Sequence, residues 1–141
     1  MELQQLYAAA RQENIPIYRR SLPQCRSLSV LLDGNCAIAM DPEICDHAAL
    51  ERTHLSHELG HCLTGSFYNQ YSRHDLRRRH ENRADKWAIE ALIPAHALDE
   101  AIAHGYTELW ELAEHFGVTE RFMRKAVTYH VHGNLATELY F

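Results

Sequence analysis

The feature that most constrains this 141-residue chain is its middle, where Ala49, Leu50, His54, His57, Glu58 and His61 recur at steps of three and four. That is the period of a helix with one inward face, and it predicts a single long helix over residues 46–64, stopped by Gly65. Inside that helix stands His57-Glu58-Leu59-Gly60-His61. At 100° per residue, positions four apart lie about 40° from each other on the helix surface, so both imidazoles can reach one ion roughly 2.1 Å away. Neutral imidazole nitrogens suit zinc. Glu58 follows His57 by one residue, near enough to such an ion to hold a water yet turned aside from a ligand position, which is the placement of a general base. Gly60 weakens a helix interior unless the backbone of another element must come close there, so the helix is expected to be tightly packed at that point.

A catalytic zinc takes three protein ligands and leaves one position open, so a third donor is expected downstream. The next helical pattern, over residues 78–92, offers His80, Glu81 and Asp85. Ala84, Trp87, Ala88, Ala91 and Leu92 form its apolar stripe, and Glu81 is in line with Ala84 and Ala88. An acid on a core-facing stripe needs a partner, and a metal is one. Glu81 is thus the favoured third ligand and His80 the alternative, against the plainer possibility that Glu81 pairs with Arg77, Arg78 or Arg83.

Before the central helix, residues 2–13 carry Leu3, Leu6, Tyr7 and Ala10 at helical spacing, and the segment IPIYRR reads as extended. Two apolar stretches flank Asp33-Gly34, which predicts a β-hairpin over residues 27–40. Residues 65–77 have no period and read as a loop. Three short helical segments follow Pro94, broken near Gly105 and Gly117, and residues 131–141 read as a tail. The expected architecture is one α+β domain over residues 1–130, mostly helical and zincin-like, with a small antiparallel sheet beside the metal-binding helix.

A net charge of −5 gives the chain no overall attraction for nucleic acid or anionic lipid. No run approaches the roughly 18 apolar residues of a membrane span, and MELQQLYAAARQENIP has an early acid in place of a basic leader, so a cytoplasmic protein is expected. Cys25, Cys36, Cys45 and Cys62 form no CxxC pair and are expected as reduced, mostly buried thiols. Segment 107–130 has the outline of a helix-turn-helix bearing Arg121, Arg124 and Lys125. Glu108, Glu111, Glu114 and Glu120 in the same stretch make DNA binding the disfavoured reading.

Three stretches, THLSHELGHCLTG at 53–65, HENRADKWAIEALIP at 80–94 and LWELAEHFGVTERFMRKAV at 109–127, resemble the ImmA/IrrE family of metallopeptidases in its short phage-type form. The resemblance implies zinc held by His57, His61 and Glu81, with Glu58 catalytic, and an endopeptidase of a phage or mobile element whose protein substrate is a transcriptional repressor. Longer members often carry a second acid two residues after the ligand glutamate; here Arg83 stands there, leaving Glu81 alone. The donor for the oxyanion is open among Tyr68, Tyr71, His74 and His80, and a carboxylate orienting the zinc histidines is expected but not identified. Manganese would fit the same ligands. The competing reading is a non-catalytic interaction or DNA-binding regulator on the same fold; the presence of Glu58 speaks against it, because a purely structural zinc site is closed by four ligands and needs no base.

Overall fold

The computed structural model describes residues 1–68 and 71–133. In chain order it contains α1 (Leu3–Gln12), β1 (Ile17–Arg19), β2 (Ser27–Leu32), β3 (Asn35–Met40), a 3-10 turn (Ile44–Asp46), α2 (Ala48–Thr64), α3 (His74–Leu92), α4 (Ala95–Ala103), α5 (Leu109–Phe116) and α6 (Glu120–His132). The class is α+β, as the sequence indicated. The tail expected from residue 131 is helical through His132, and from residue 134 onward it lies outside the described residues.

The hairpin forms where the Asp-Gly pair predicts it. Asp33 and Gly34 both adopt positive φ, 53° and 83°, the two-residue turn whose twist matches that of the strands it joins. The sheet around it differs from expectation: it is mixed, in the order β1-β3-β2, with β2 antiparallel and β1 parallel to β3. A parallel neighbour normally needs a long crossover. Here Arg19 and Ser27 both face Met40 from opposite sides, so the link over residues 20–26 only has to round the end of one strand, about 10 Å. Asp41 pins that link, its carboxylate accepting from the N–H of Leu22 and of Glu43 and its own N–H donating to the Arg26 carbonyl. Those two backbone donors hold the Asp41 carboxyl below the usual carboxylate range.

α3 begins at His74, earlier than the residue 78 expected, because its first turns, HDLRRRH, hold only one apolar residue, Leu76, and leave no apolar period to read. Asp75 in the first turn suits the positive end of the helix dipole. α2 and α3 pack closely. A Cβ on Gly60 would lie 2.4 Å from the carbonyl oxygen of Ala84, so only glycine permits this approach, which is the reason for a glycine inside the helix. Leu55 and Leu59 of α2, Ile89 and Ile93 from the α3 end, Ile38 of β3 and Met123 of α6 are fully buried around them. The cysteine expectation needs correction: Cys36 and Cys62 form a disulfide joining β3 to α2, while Cys25 is an exposed free thiol and Cys45 a half-buried one. Packing of the sheet on α2 brings the two Cα atoms to 5.7 Å, a spacing a disulfide can bridge.

Candidate metal centre and its cleft

α2 carries His57, Glu58 and His61 on one side, and the Gly60–Ala84 contact brings α3 close enough for Glu81 to reach them. The Glu81 carboxylate lies between the imidazoles, with Oε2 at 2.8 Å from Nε2 of His57 and Oε1 at 3.2 Å from Nε2 of His61. One ligand atom from each of the three residues falls within 4.8 Å of the others, so the group could hold a metal ion. The alternative ligand, His80, is not in this group; its ring stacks on Tyr68, centroids 6.5 Å apart.

The far nitrogen of each imidazole is fixed, which is what a metal ligand requires. Nδ1 of His57 is 2.7 Å from Oδ1 of Asp85, and Nζ of Lys125 on α6 donates to Oδ2 of the same carboxylate at 3.0 Å. Nδ1 of His61 is 2.5 Å from the carbonyl oxygen of Ser66, just past the end of α2. Both Nε2 atoms are thereby left to face Glu81. Asp85 is thus the orienting carboxylate that the sequence did not single out. It stands one turn beyond Glu81, and Lys125 was visible only as part of a basic helix.

The electrostatics of the group fit the same purpose. Burial alone would depress His57, but hydrogen bonds to Asp85 and Glu81 outweigh it and raise its pKa to about 10. Burial likewise opposes ionisation of Glu81 and Asp85, yet His57 and its neighbours hold both below the usual carboxylate range. The 2.8 Å contact between Nε2 of His57 and Oε2 of Glu81 thus joins groups whose charges favour one another.

Glu58 is buried, at 6% exposure, and its Oε2 accepts a 2.7 Å hydrogen bond from the hydroxyl of Ser27 at the start of β2. The same hydroxyl lies 2.8 Å from Nδ1 of His54, so donation from His54 to Ser27 and from Ser27 to Glu58 forms a consistent chain. No sequence pattern points to Ser27, because it acts only once the sheet is laid over α2. Of the four candidate oxyanion donors, Tyr68 stands in the cleft, its hydroxyl donating to Oε1 of Glu81 at 2.6 Å. Burial and that bond to a carboxylate push the phenol well above its ordinary pKa. Tyr71 is 85% exposed, and His74 is exposed at the first residue of α3.

The centre lies between two hollows that share His57 and Glu81. One, about 290 Å³, is walled by β2 and by Phe67 and Tyr68; the other, about 490 Å³, is walled by the first half of α2 and the beginning of α6. Two histidines a turn apart, an acid from the following helix, and a separate carboxylate facing an open cleft are the construction of a helix-borne metallopeptidase site. The family model for the IrrE N-terminal-like domain matches residues 43–128, and the chain belongs to that metallopeptidase family. Searches of curated proteins and of solved structures returned no match.

Proposed function

We propose that the protein is a zinc-dependent endopeptidase, with His57, His61 and Glu81 as metal ligands and Glu58 as general base. The observation that carries this reading is a donor group able to hold a metal beside a buried carboxylate that is not part of that group, in a cleft continuing on both sides. Zinc bound there would polarise a peptide carbonyl and lower the pKa of a water toward roughly 7. Glu58, oriented by Ser27, takes a proton from the attacking water and passes it to the departing amine. Tyr68, protonated at neutral pH, is the donor available to the developing oxyanion.

The cleft also supports the endopeptidase reading. Among the described residues β2 pairs only with β3, so its outer edge has free backbone groups, and Ser27, Leu28 and Ser29 of that strand line the hollow beside Glu58. An extended peptide can add there as a further strand and run past the ligands without its ends being fixed. The resemblance to the ImmA/IrrE family supports a repressor-type protein of a phage or mobile element as the substrate and the cytoplasm as its place of action. No helix among the described residues is long and apolar enough to cross a membrane.

The rival DNA-binding reading loses ground to a specific contact. Lys125 of α6, a candidate phosphate contact, is engaged with Asp85 behind the metal ligands, and Arg121 lines the cleft. Zinc-loaded protein is expected to hold one ion per chain and cut an unfolded protein substrate, and Glu58→Gln to keep the ion while losing about 10³-fold in rate. Undiminished cutting by Glu58→Gln, or no zinc retained by the wild type in elemental mass spectrometry, would overturn the assignment.

A further inference from the structure

The two hollows beside the metal ligands differ in charge. The smaller takes Leu28, Phe67 and Tyr68 into its walls and no cation other than its histidines. The larger is lined by three cations, Arg26, Arg121 and Lys125, over an apolar base that includes Leu50 and Phe122. Lys125 is neutralised by Asp85 at 3.0 Å. Of the acids lining this hollow, Asp85 is held by Lys125 and His57, and Glu81 lies against His57 and His61. Arg26 and Arg121 are exposed, and neither forms an ion pair with a described residue. Arg26 contributes only the weakest of the influences acting on Asp41, whose carboxylate is occupied by backbone N–H groups. Glu120, the acid next to Arg121, is exposed and does not line the hollow.

A third positive element comes from the backbone. Thr119, Arg121 and Phe122, all from the first turn of the 13-residue α6 or its cap, line the same hollow, so the N-terminal end of that helix faces it. Two arginines from different elements, the link before β2 and the start of α6, therefore line one hollow together with the positive end of a helix. Carboxylates match this arrangement, since guanidinium binds them through paired hydrogen bonds. Sharing His57 and Glu81 with the metal centre keeps the hollow within about three residues of the bond to be cut, at about 3.3 Å per residue of extended chain.

We infer that this hollow is a specificity subsite for an acidic side chain of the substrate, with Arg26 and Arg121 as the residues that select it. The inference rests on the peptidase reading and names its substrate class: a segment with Asp or Glu on one side of the scissile bond and an apolar or aromatic residue on the other.

The test compares fluorogenic peptides that vary one position at a time, using the zinc-loaded full chain, with binding of the same peptides to Glu58→Gln measured by fluorescence anisotropy, with and without zinc. Glu or Asp at one position should raise kcat/KM at least about tenfold over Gln, mostly through KM, and tighten binding to Glu58→Gln. Arg26→Glu with Arg121→Glu should reverse the preference toward Lys. The milder Arg26→Gln with Arg121→Gln should abolish it, and circular dichroism of each variant checks that the fold is kept. Cleavage or binding indifferent to the acid, an unchanged profile in both double variants, or duplex DNA displacing the acidic peptide would overturn the subsite. Acid-selective binding by a protein that cuts no peptide would overturn the peptidase reading and leave the subsite standing.

Discussion

The two halves of α2 carry polar side chains into the interior for different ends. In the first half, Glu51 accepts from the hydroxyl of Tyr7 on α1 at 2.5 Å, Arg52 donates to the carbonyl of Phe116 at the end of α5, and Thr53 accepts from the backbone of Thr119 at 3.3 Å. These bonds fasten neighbouring elements. In the second half, His57, Glu58 and His61 turn toward Glu81 and the cleft, and the adjoining Cys62 is bonded to the sheet. These three bonds would be equally useful in a protein with no chemistry at all, although Leu50, Thr53 and His54 of the same half also line the larger hollow. The second half gathers His57, His61 and Glu81 into a group that could hold a metal ion. One helix thus has a structural end and a chemical end, and substitutions should divide the same way.

The sharpest test of that division is the glycine inside the chemical end. Gly60→Ala in an ordinary helix interior stabilises by roughly 0.5–1 kcal/mol. Here the new Cβ would meet the Ala84 carbonyl at 2.4 Å and push α3 away, carrying Glu81 with it. The expected result is a loss of about 1–3 kcal/mol in denaturant unfolding and roughly 10²-fold weaker zinc binding. A stabilised variant would show that the helices do not approach as described. Next in size is Asp85→Ala, which frees the His57 ring and should cost roughly 10–100-fold in zinc affinity by competition titration. Affinity equal to wild type would mean that Asp85 does not orient the ligand.

Much of the chemical end could be read from the chain and little of the structural end. Two histidines four apart and an acid in line with Ala84 and Ala88 carry their geometry in their spacing, so His57, His61 and Glu81 were legible as a group. The need for Gly60 was legible too, because glycine inside a helix has few other reasons. Asp85 was visible as an acid, but its role depends on α6 bringing Lys125 across to it, and no local pattern contains that packing. Ser27 stands in a hairpin strand thirty-one residues before Glu58, and its meaning arises only when the sheet covers α2. The same limit hid the parallel pairing of β1 with β3, although its segment read as extended, and the Cys36–Cys62 pair, both of which long-range packing creates. The early start of α3 escaped for a different reason: its first two turns hold a single apolar residue, Leu76, too few to show a face.

Smaller effects belong to the structural end. Tyr7→Phe removes the hydroxyl donor from Glu51, which is only 6% exposed, and should lower unfolding stability by about 1–2 kcal/mol while changing zinc affinity less than about twofold. A tenfold loss of zinc affinity in this variant would erase the distinction between the two halves.

The same tyrosine predicts a pH signature. Burial and the bond to the Glu51 carboxylate, against a smaller opposing pull from Arg19, raise its pKa from 10.0 to about 12. The folded state then keeps the phenol proton where the unfolded chain has lost it, so the stability linked to that raised pKa is fully present below pH 10 and disappears as the pH rises toward about 12. Unfolding free energies of wild type and Tyr7→Phe, measured side by side from pH 9 upward, should therefore differ by a constant amount until about pH 10 and then converge. A gap that stays constant across that range would place the hydroxyl in water instead of on Glu51, and α1 would be held to α2 by apolar packing alone.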